Sequence, residues 1–127
     1  MLRQTMPSKR RIVTIMLFAL AFAGAYGQTI EQVRQELQRQ NVPHANIVLA
    51  QARLETGNFT SQQCRIKHNL FGIKHGRRYA TYARWQDSIT DYKAKISSRY
   101  HGGDYYAFLR RIGYAKDPAY IEKLKRF

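Results

Sequence analysis

Acids are scarce in this chain. Eight Asp and Glu stand against 22 Lys and Arg in 127 residues, for a formal net charge of +14. That balance excludes a surface of evenly paired charges and draws the protein toward polyanions: nucleic acid, anionic lipid or acidic wall polymers. Cysteine is nearly absent, and a lone Cys64 excludes an internal disulfide. It reads as a small buried side chain, with His68 and His75 close enough in sequence for thiol chemistry to stand as the second reading. The four histidines lack compact ligand spacing, so no metal is expected, and no motif asks for a cofactor. With no internal repeat, low-complexity tract or linker, the length allows one ordinary domain.

Long apolar runs are missing too. Residues 12–25 are apolar except for Thr14 and Gly24, which is short of the about 20 residues of a membrane span. The run follows Arg3, Lys9, Arg10 and Arg11 and precedes the small residues Ala25 and Gly27. This is the pattern of a secretory signal peptide, with an uncleaved anchor as the alternative. The expected division is a signal peptide over 1–27 and a domain over 28–127, exported to the periplasm or the extracellular space. Cleavage would leave roughly 100 residues, enough for a single core, and without the four leader bases a charge of about +10. Export argues against nucleic acid as a partner. No membrane contact beyond the signal is expected, and the domain reads as a monomer.

Within 28–127 the periodicity is mainly helical. Thr29 opens a helix with Ile30, Val33 and Leu37 on one face. A second helix starts around Pro43 and runs to Glu55, with Gly57 as a left-handed stop. Residues 58–68 look irregular. NLFGIK (69–74) and RYATYARW (78–85) read as a short hairpin with Gly76 in its turn. Asp87 or Ser88 is expected to cap a third helix, with Asp91 in capping-box spacing. Asp104 opens a further helix that Gly113 ends, and Asp117-Pro118 caps a last one carrying Tyr120, Ile121 and Leu124. The fold class is mainly α, formally α+β, with one short β-hairpin.

One acid does not fit this scheme. With Glu55 at zero on a helical wheel, Val48 falls at roughly +20°, Gln51 at roughly −40° and Ala52 at roughly +60°, while Asn46 and Arg53 lie on the opposite side. Glu55 therefore belongs to the face that turns inward or lines a cleft. Loss of water there raises a carboxylate's pKa, and an acid still protonated near neutral pH can serve as a general acid. The alternative is a fraying helix end whose glutamate reaches solvent or pairs with a base. The other acids have structural explanations: caps for Asp87, Asp91, Asp104 and Asp117, and charged helix surface for Glu31, Glu36 and Glu122.

Four blocks now carry a resemblance: IVLAQARLETG (47–57), NLFGIK (69–74), YARWQDSITDY (82–92) and YAKDPAYIEKL (114–124). In this order and spacing they resemble the glucosaminidase domain of glycoside hydrolase family 73, the bacterial peptidoglycan β-N-acetylglucosaminidases, from about Val42 to the end. The resemblance implies a lysozyme-like fold in which a helix delivers an acid into a groove walled by a small β element. It implies cleavage after N-acetylglucosamine in peptidoglycan glycan strands. It makes Glu55 the catalytic acid and sets Tyr114 near the scissile bond. It assigns Asn69, Phe71 and Gly72 to the groove and matches Asp117 to an Asp-Pro position. Gln51, on the face of Glu55, and Tyr82 join the candidates for substrate contact.

Two departures stand out. Arg53 replaces a small residue, and KHGRRYAT (74–81) holds no acid that could serve as a second carboxylate. The expected mechanism therefore uses one acid, with the substrate's acetamido group or a water held by Tyr114 on the other face of the sugar. A non-catalytic peptidoglycan-binding or assembly module and a lytic transglycosylase on the same fold are the alternatives. Charge alone also admits a nucleic-acid binder.

Overall fold

Thr29 starts the first helix, α1 (Ile30–Arg39), with a reciprocal cap. Its Oγ1 accepts the Gln32 amide at 3.1 Å, and Gln32 Oε1 accepts the Thr29 amide at 2.8 Å. Val33 and Leu37 of this helix are fully buried, as the periodicity predicts. The computed structural model describes residues 27–127. The expected signal peptide thus lies, but for Gly27, outside the described residues.

The second helix, α2 (Ala45–Thr56), is the spine of the core. It packs against α1 on one side and the last helix on another, and Val48, Leu49, Ala50, Gln51, Ala52 and Thr56 are all buried. It begins two residues later than Pro43 suggests, because His44 adopts a left-handed φ of 52° and cannot itself be helical. Beyond its end the chain stays left-handed for three residues: Gly57 at φ 56°, Asn58 at 56° and Phe59 at 70°. Only glycine takes such angles freely; each other residue costs roughly 1–2 kcal/mol. Thr56 holds the turn, its Oγ1 accepting the Phe59 amide at 2.8 Å and its carbonyl accepting those of Thr60 and Ser61. The end of α2, and Glu55 with it, is thereby fixed.

Residues 58–68 are less irregular than their sequence suggests. Ser61 accepts the Cys64 amide and opens a six-residue helix, α3 (Gln62–Lys67). The hairpin, by contrast, is smaller: β1 (Lys74–His75) and β2 (Arg78–Tyr79) pair antiparallel, Lys74 opposite Tyr79, with Gly76 at φ 68° in the two-residue turn. The rest of NLFGIK, residues 69–73, stays out of the strands because Asn69 ties its backbone into a loop.

The expected caps at Asp87, Ser88 and Asp91 are corrected. The next helix, α4 (Trp85–Lys95), begins earlier, after Arg84, with no side-chain cap. Ser88 is buried and donates to the Trp85 carbonyl at 2.6 Å. Asp91 instead pins the hairpin: it accepts from Tyr82 Oη at 2.6 Å, His75 Nε2 at 3.0 Å and Lys95 Nζ at 3.0 Å. Burial opposes its charge, but these hydrogen bonds outweigh it and hold its pKa below the usual 3.8. A depressed folded pKa contributes stability above the unfolded value and loses it as pH falls through the acid range. Asp91→Ala should therefore cost about 1–2 kcal/mol at neutral pH, with the Tm deficit shrinking in acid. A deficit that does not change with pH would contradict the ion pairing.

A 3-10 turn (Ser97–Arg99) leads to α5 (Tyr105–Arg111), capped by Asp104 through the Tyr106 and Ala107 amides. The last helix is α6 (Tyr120–Leu124). The expected Asp117-Pro118 cap is corrected: the capping position is Ala119, with no side-chain cap, and Asp117 sits two residues earlier, accepting the Ala119 amide at 2.9 Å and pairing with Lys123. The aromatic side of the core joins these pieces. Tyr92 of α4 lies 4.5 Å from Phe71 and 6.3 Å from Tyr114, ring centre to ring centre, and Tyr114 lies 5.7 Å from Tyr120.

Candidate active site

Glu55 stands one residue before the end of α2. Its residue surface is exposed, yet protein atoms crowd the carboxyl, and that burial pushes its pKa up. Both facts fit a carboxyl on the floor of an open groove, where water reaches it but low-dielectric walls replace much of its hydration. It is also the one acid without a partner among the described residues. Glu31 and Glu36 bind Arg34 and Arg39, and Asp87 binds Arg84. Asp91 holds the hairpin, Asp104 caps α5, Asp117 meets Ala119 and Lys123, and Glu122 faces Lys125. Three of the expected caps, Asp87, Asp91 and Asp117, are not caps, but the elimination still leaves Glu55.

Gly72 lies beside the carboxyl. Its φ is 63°, and a Cβ there would lie 3.4 Å from Glu55 Oε2 and 3.8 Å from Tyr79 Cε1. Carboxylate and tyrosine ring thus flank the space that a side chain at Gly72 would enter. Gly72→Ala has room for its methyl but not for its φ. It should cost roughly 1–2 kcal/mol, a Tm loss of several degrees at about 4–8 °C per kcal/mol, and should raise the Glu55 pKa further. Thermal melts and a pH–rate profile check both; an unchanged Tm would mean that this φ carries no strain.

Tyr114 is the second group. Burial first, then the charges of Tyr120 and Glu55, drive its phenol well above the usual range. It stays protonated at any ordinary pH, so it can hold a water or an amide but cannot serve as a base. Behind it, Gln51 is fully buried. Its Oε1 accepts from Tyr92 Oη at 2.5 Å and its Nε2 donates to Tyr120 Oη at 3.4 Å, while Tyr92 and Tyr105 share a 2.7 Å hydroxyl contact. This network fixes the tyrosines rather than facing the groove.

Of the other sequence candidates, Asn69 and Phe71 are buried within the loop 69–73, so they support the loop and offer no open surface to a substrate. Tyr82 turns to Asp91. Asp117 is exposed and engaged at the start of α6. Tyr79 and Tyr82 alternate with basic residues in the sequence without showing which of them turns toward the acid. Of the two, Tyr79 is the one that flanks Gly72 together with Glu55.

Cys64 is buried, and burial raises its thiol pKa against a weaker opposing contact from Gln28. Such a thiol is a poor nucleophile. A cavity of about 880 Å³ opens beside it, lined among others by Gln32, Phe59, His68 and Trp85. Its acid, Glu36, is engaged by Arg39 and Gln40, so the unpaired carboxyl and the cavity are separate features. Among the described residues no three His, Cys, Asp or Glu come together as a metal set.

A family model described as Glucosaminidase, mannosyl-glycoprotein endo-beta-N-acetylglucosaminidase, matches residues 30–127. The match begins with α1 rather than near Val42, in keeping with the packing of α1 on the helix that carries Glu55. Neither the curated proteins nor the solved structures gave a match.

Proposed function

This chain belongs to the glucosaminidase family, a glycosidase-type family, and on that premise we propose that it cleaves the bond after N-acetylglucosamine in peptidoglycan glycan strands, with Glu55 as general acid. The observation that carries the reading is Glu55 itself. It is the acid without a partner among the described residues, its pKa is raised by burial, and it lies beside Gly72 and within electrostatic reach of Tyr114.

The Glu55 carboxyl gives its proton to the glycosidic oxygen as the anomeric C–O bond breaks. The electron-poor anomeric carbon is met by the oxygen of the sugar's own acetamido group, or by a water held by the Tyr114 hydroxyl. When water completes the reaction, its proton returns to the Glu55 carboxylate. A two-carboxylate glycosidase would need a second acid about 5–9.5 Å away. The engagement of the seven other acids, and the acid-free hairpin, favour the one-acid route. The basic leader and apolar run of residues 1–27 support export, so the enzyme acts on the wall outside the cytoplasm, as a monomer.

Mass spectrometry of the products from purified sacculi tests the reading. Fragments with N-acetylglucosamine at the reducing end are expected. Anhydro-muramic ends would replace it with a lytic transglycosylase, and retention on sacculi without release would replace it with a binding module.

A further inference from the structure

We propose that Lys67, Lys74 and Tyr79 form a subsite beside Glu55 that holds a carboxylate-bearing residue of the glycan chain next to the bond that is cut. The inference rests on the reading of Glu55 above and adds the charge of the substrate to it.

Position is the first argument. Tyr79 and Glu55 flank the same point, the open position over Gly72 where a Cβ would lie 3.8 Å from the ring and 3.4 Å from the carboxylate, so a group on the exposed part of this half-buried ring lies near the acid. Lys74 Nζ lies 5.2 Å and Lys67 Nζ 6.0 Å from the ring centre. The two lysines come from different elements, both fixed. Lys74 is the cross-strand partner of Tyr79, which sets both side chains on one face of the hairpin. Lys67 ends α3, and its carbonyl accepts the Tyr82 amide at 2.9 Å.

Charge is the second argument. Between Glu55 and Asp87 the sequence has no acid, yet it carries Arg65, Lys67, Lys74, Arg77, Arg78 and Arg84. Arg84 alone of these pairs with an acid, Asp87, among the described residues. Two ammonium groups converge on one ring with no carboxylate to offset them. A cation–π contact at such an exposed site supplies only about 0.5–1 kcal/mol each, so both ammonium groups remain available to an anion that lies on the ring.

Chemistry selects the anion. A tyrosine face suits a sugar ring, and ammonium groups suit a carboxylate. A neutral polymer of N-acetylglucosamine offers the first match and not the second. A chain whose alternate sugars carry a lactyl ether acid, or a peptide ending in carboxylates, offers both.

The test measures kcat/KM on three glycans: peptide-bearing strands, strands stripped of peptide so that the lactyl carboxylate is free, and strands whose carboxylates are amidated. The preference for carboxylate-bearing over amidated strands should fall about tenfold in the Lys67→Gln/Lys74→Gln double variant, the worth of a charge-assisted hydrogen bond. Arg77→Gln, which removes the same charge at the hairpin turn, should keep a preference near wild type. If the loss appears on the stripped strands the lactyl acid is the ligand; if only on the peptide-bearing ones, the peptide carboxylates are. An unchanged preference in the double variant, or an equal loss in Arg77→Gln, overturns the subsite. If the wild type cleaves none of these glycans, the Glu55 reading falls. Retention of the protein on native against amidated sacculi then decides the subsite: weaker retention of the double variant on native sacculi alone upholds it, and equal retention overturns it.

Discussion

Glu55→Gln will lower turnover of purified sacculi by about 10²–10⁴-fold, the usual worth of a positioned general acid, without lowering Tm. Glutamine keeps the shape of the side chain but has no acidic proton to give to a leaving oxygen. The stability half of the prediction follows from the direction of the pKa shift. Burial raises the carboxyl above its ordinary value of 4.5, so the folded protein binds a proton that the unfolded chain releases. Stability therefore falls as pH rises through that window and stays reduced above it. The neutral amide escapes this loss. Variant and wild type should melt alike in acid, and the variant should melt at an equal or higher temperature near neutrality, a stability–activity trade-off seen at many sites. The same shift sets the pH dependence of activity. A general acid works while protonated, so wild-type kcat/KM should decline toward alkaline pH, with its midpoint above that of an ordinary glutamate. A Glu55→Gln protein that digests sacculi like wild type would remove Glu55 from the mechanism. A variant that is inactive but melts lower at neutral pH would give Glu55 a structural role that no hydrogen bond or ion pair accounts for.

Much of this site was legible in the sequence, for reasons specific to particular residues. Glu55 shows on a helical wheel because a helix fixes angular position from sequence alone and groups it with Val48, Gln51 and Ala52, all buried; that Leu49 and Ala50 on the other side are buried too did not show. Thr29, Gly57 and Asp104 show because caps and left-handed stops are local. What was hidden is either short or distant. Helix α3 has six residues, too few for a period to emerge, and only the Ser61 cap marks its start. Helix α4 begins after Arg84 with no side-chain cap, so the eye moves to the next acids, Asp87 and Asp91, and misassigns both. The placing of Tyr79 and Glu55 on either side of Gly72 is tertiary. So is the convergence of Lys67 and Lys74 on one ring. The alternation of Tyr and Arg in RYATYAR hints at two faces without saying which meets the acid.

The hairpin that brings these groups together depends on a residue that touches no substrate. Asn69 is 1% exposed, and its amide is used completely. Nδ2 donates to the carbonyls of Ile73 at 2.8 Å and Ala80 at 3.1 Å, and Oδ1 accepts the amides of Phe71 at 3.3 Å and Ile73 at 3.1 Å. One side chain thus closes the loop 69–73 onto the strand that carries Tyr79. Asn69→Ala should leave the Phe71 and Ile73 amides and the Ala80 carbonyl without these partners, and each such buried group costs about 1–3 kcal/mol. The expected loss is about 3 kcal/mol or more, a large part of a total near 5–15, with Tm lower by at least about 10 °C. Asn69→Asp gives the sharper diagnosis. Its oxygens still accept the two amides, but where Nδ2 donated, a carboxylate now faces two carbonyls. Protonation restores one donor, so this variant's deficit should shrink as pH falls while that of Asn69→Ala should not. In both variants, amide hydrogen exchange over 71–80 should rise more than in α1 or α5. Below their melting temperatures they should lose activity, because Gly72 and Tyr79 no longer hold their places against Glu55. If Asn69→Ala melts within about 1 °C of wild type, the loop closes by other means, and the groove wall does not depend on this amide.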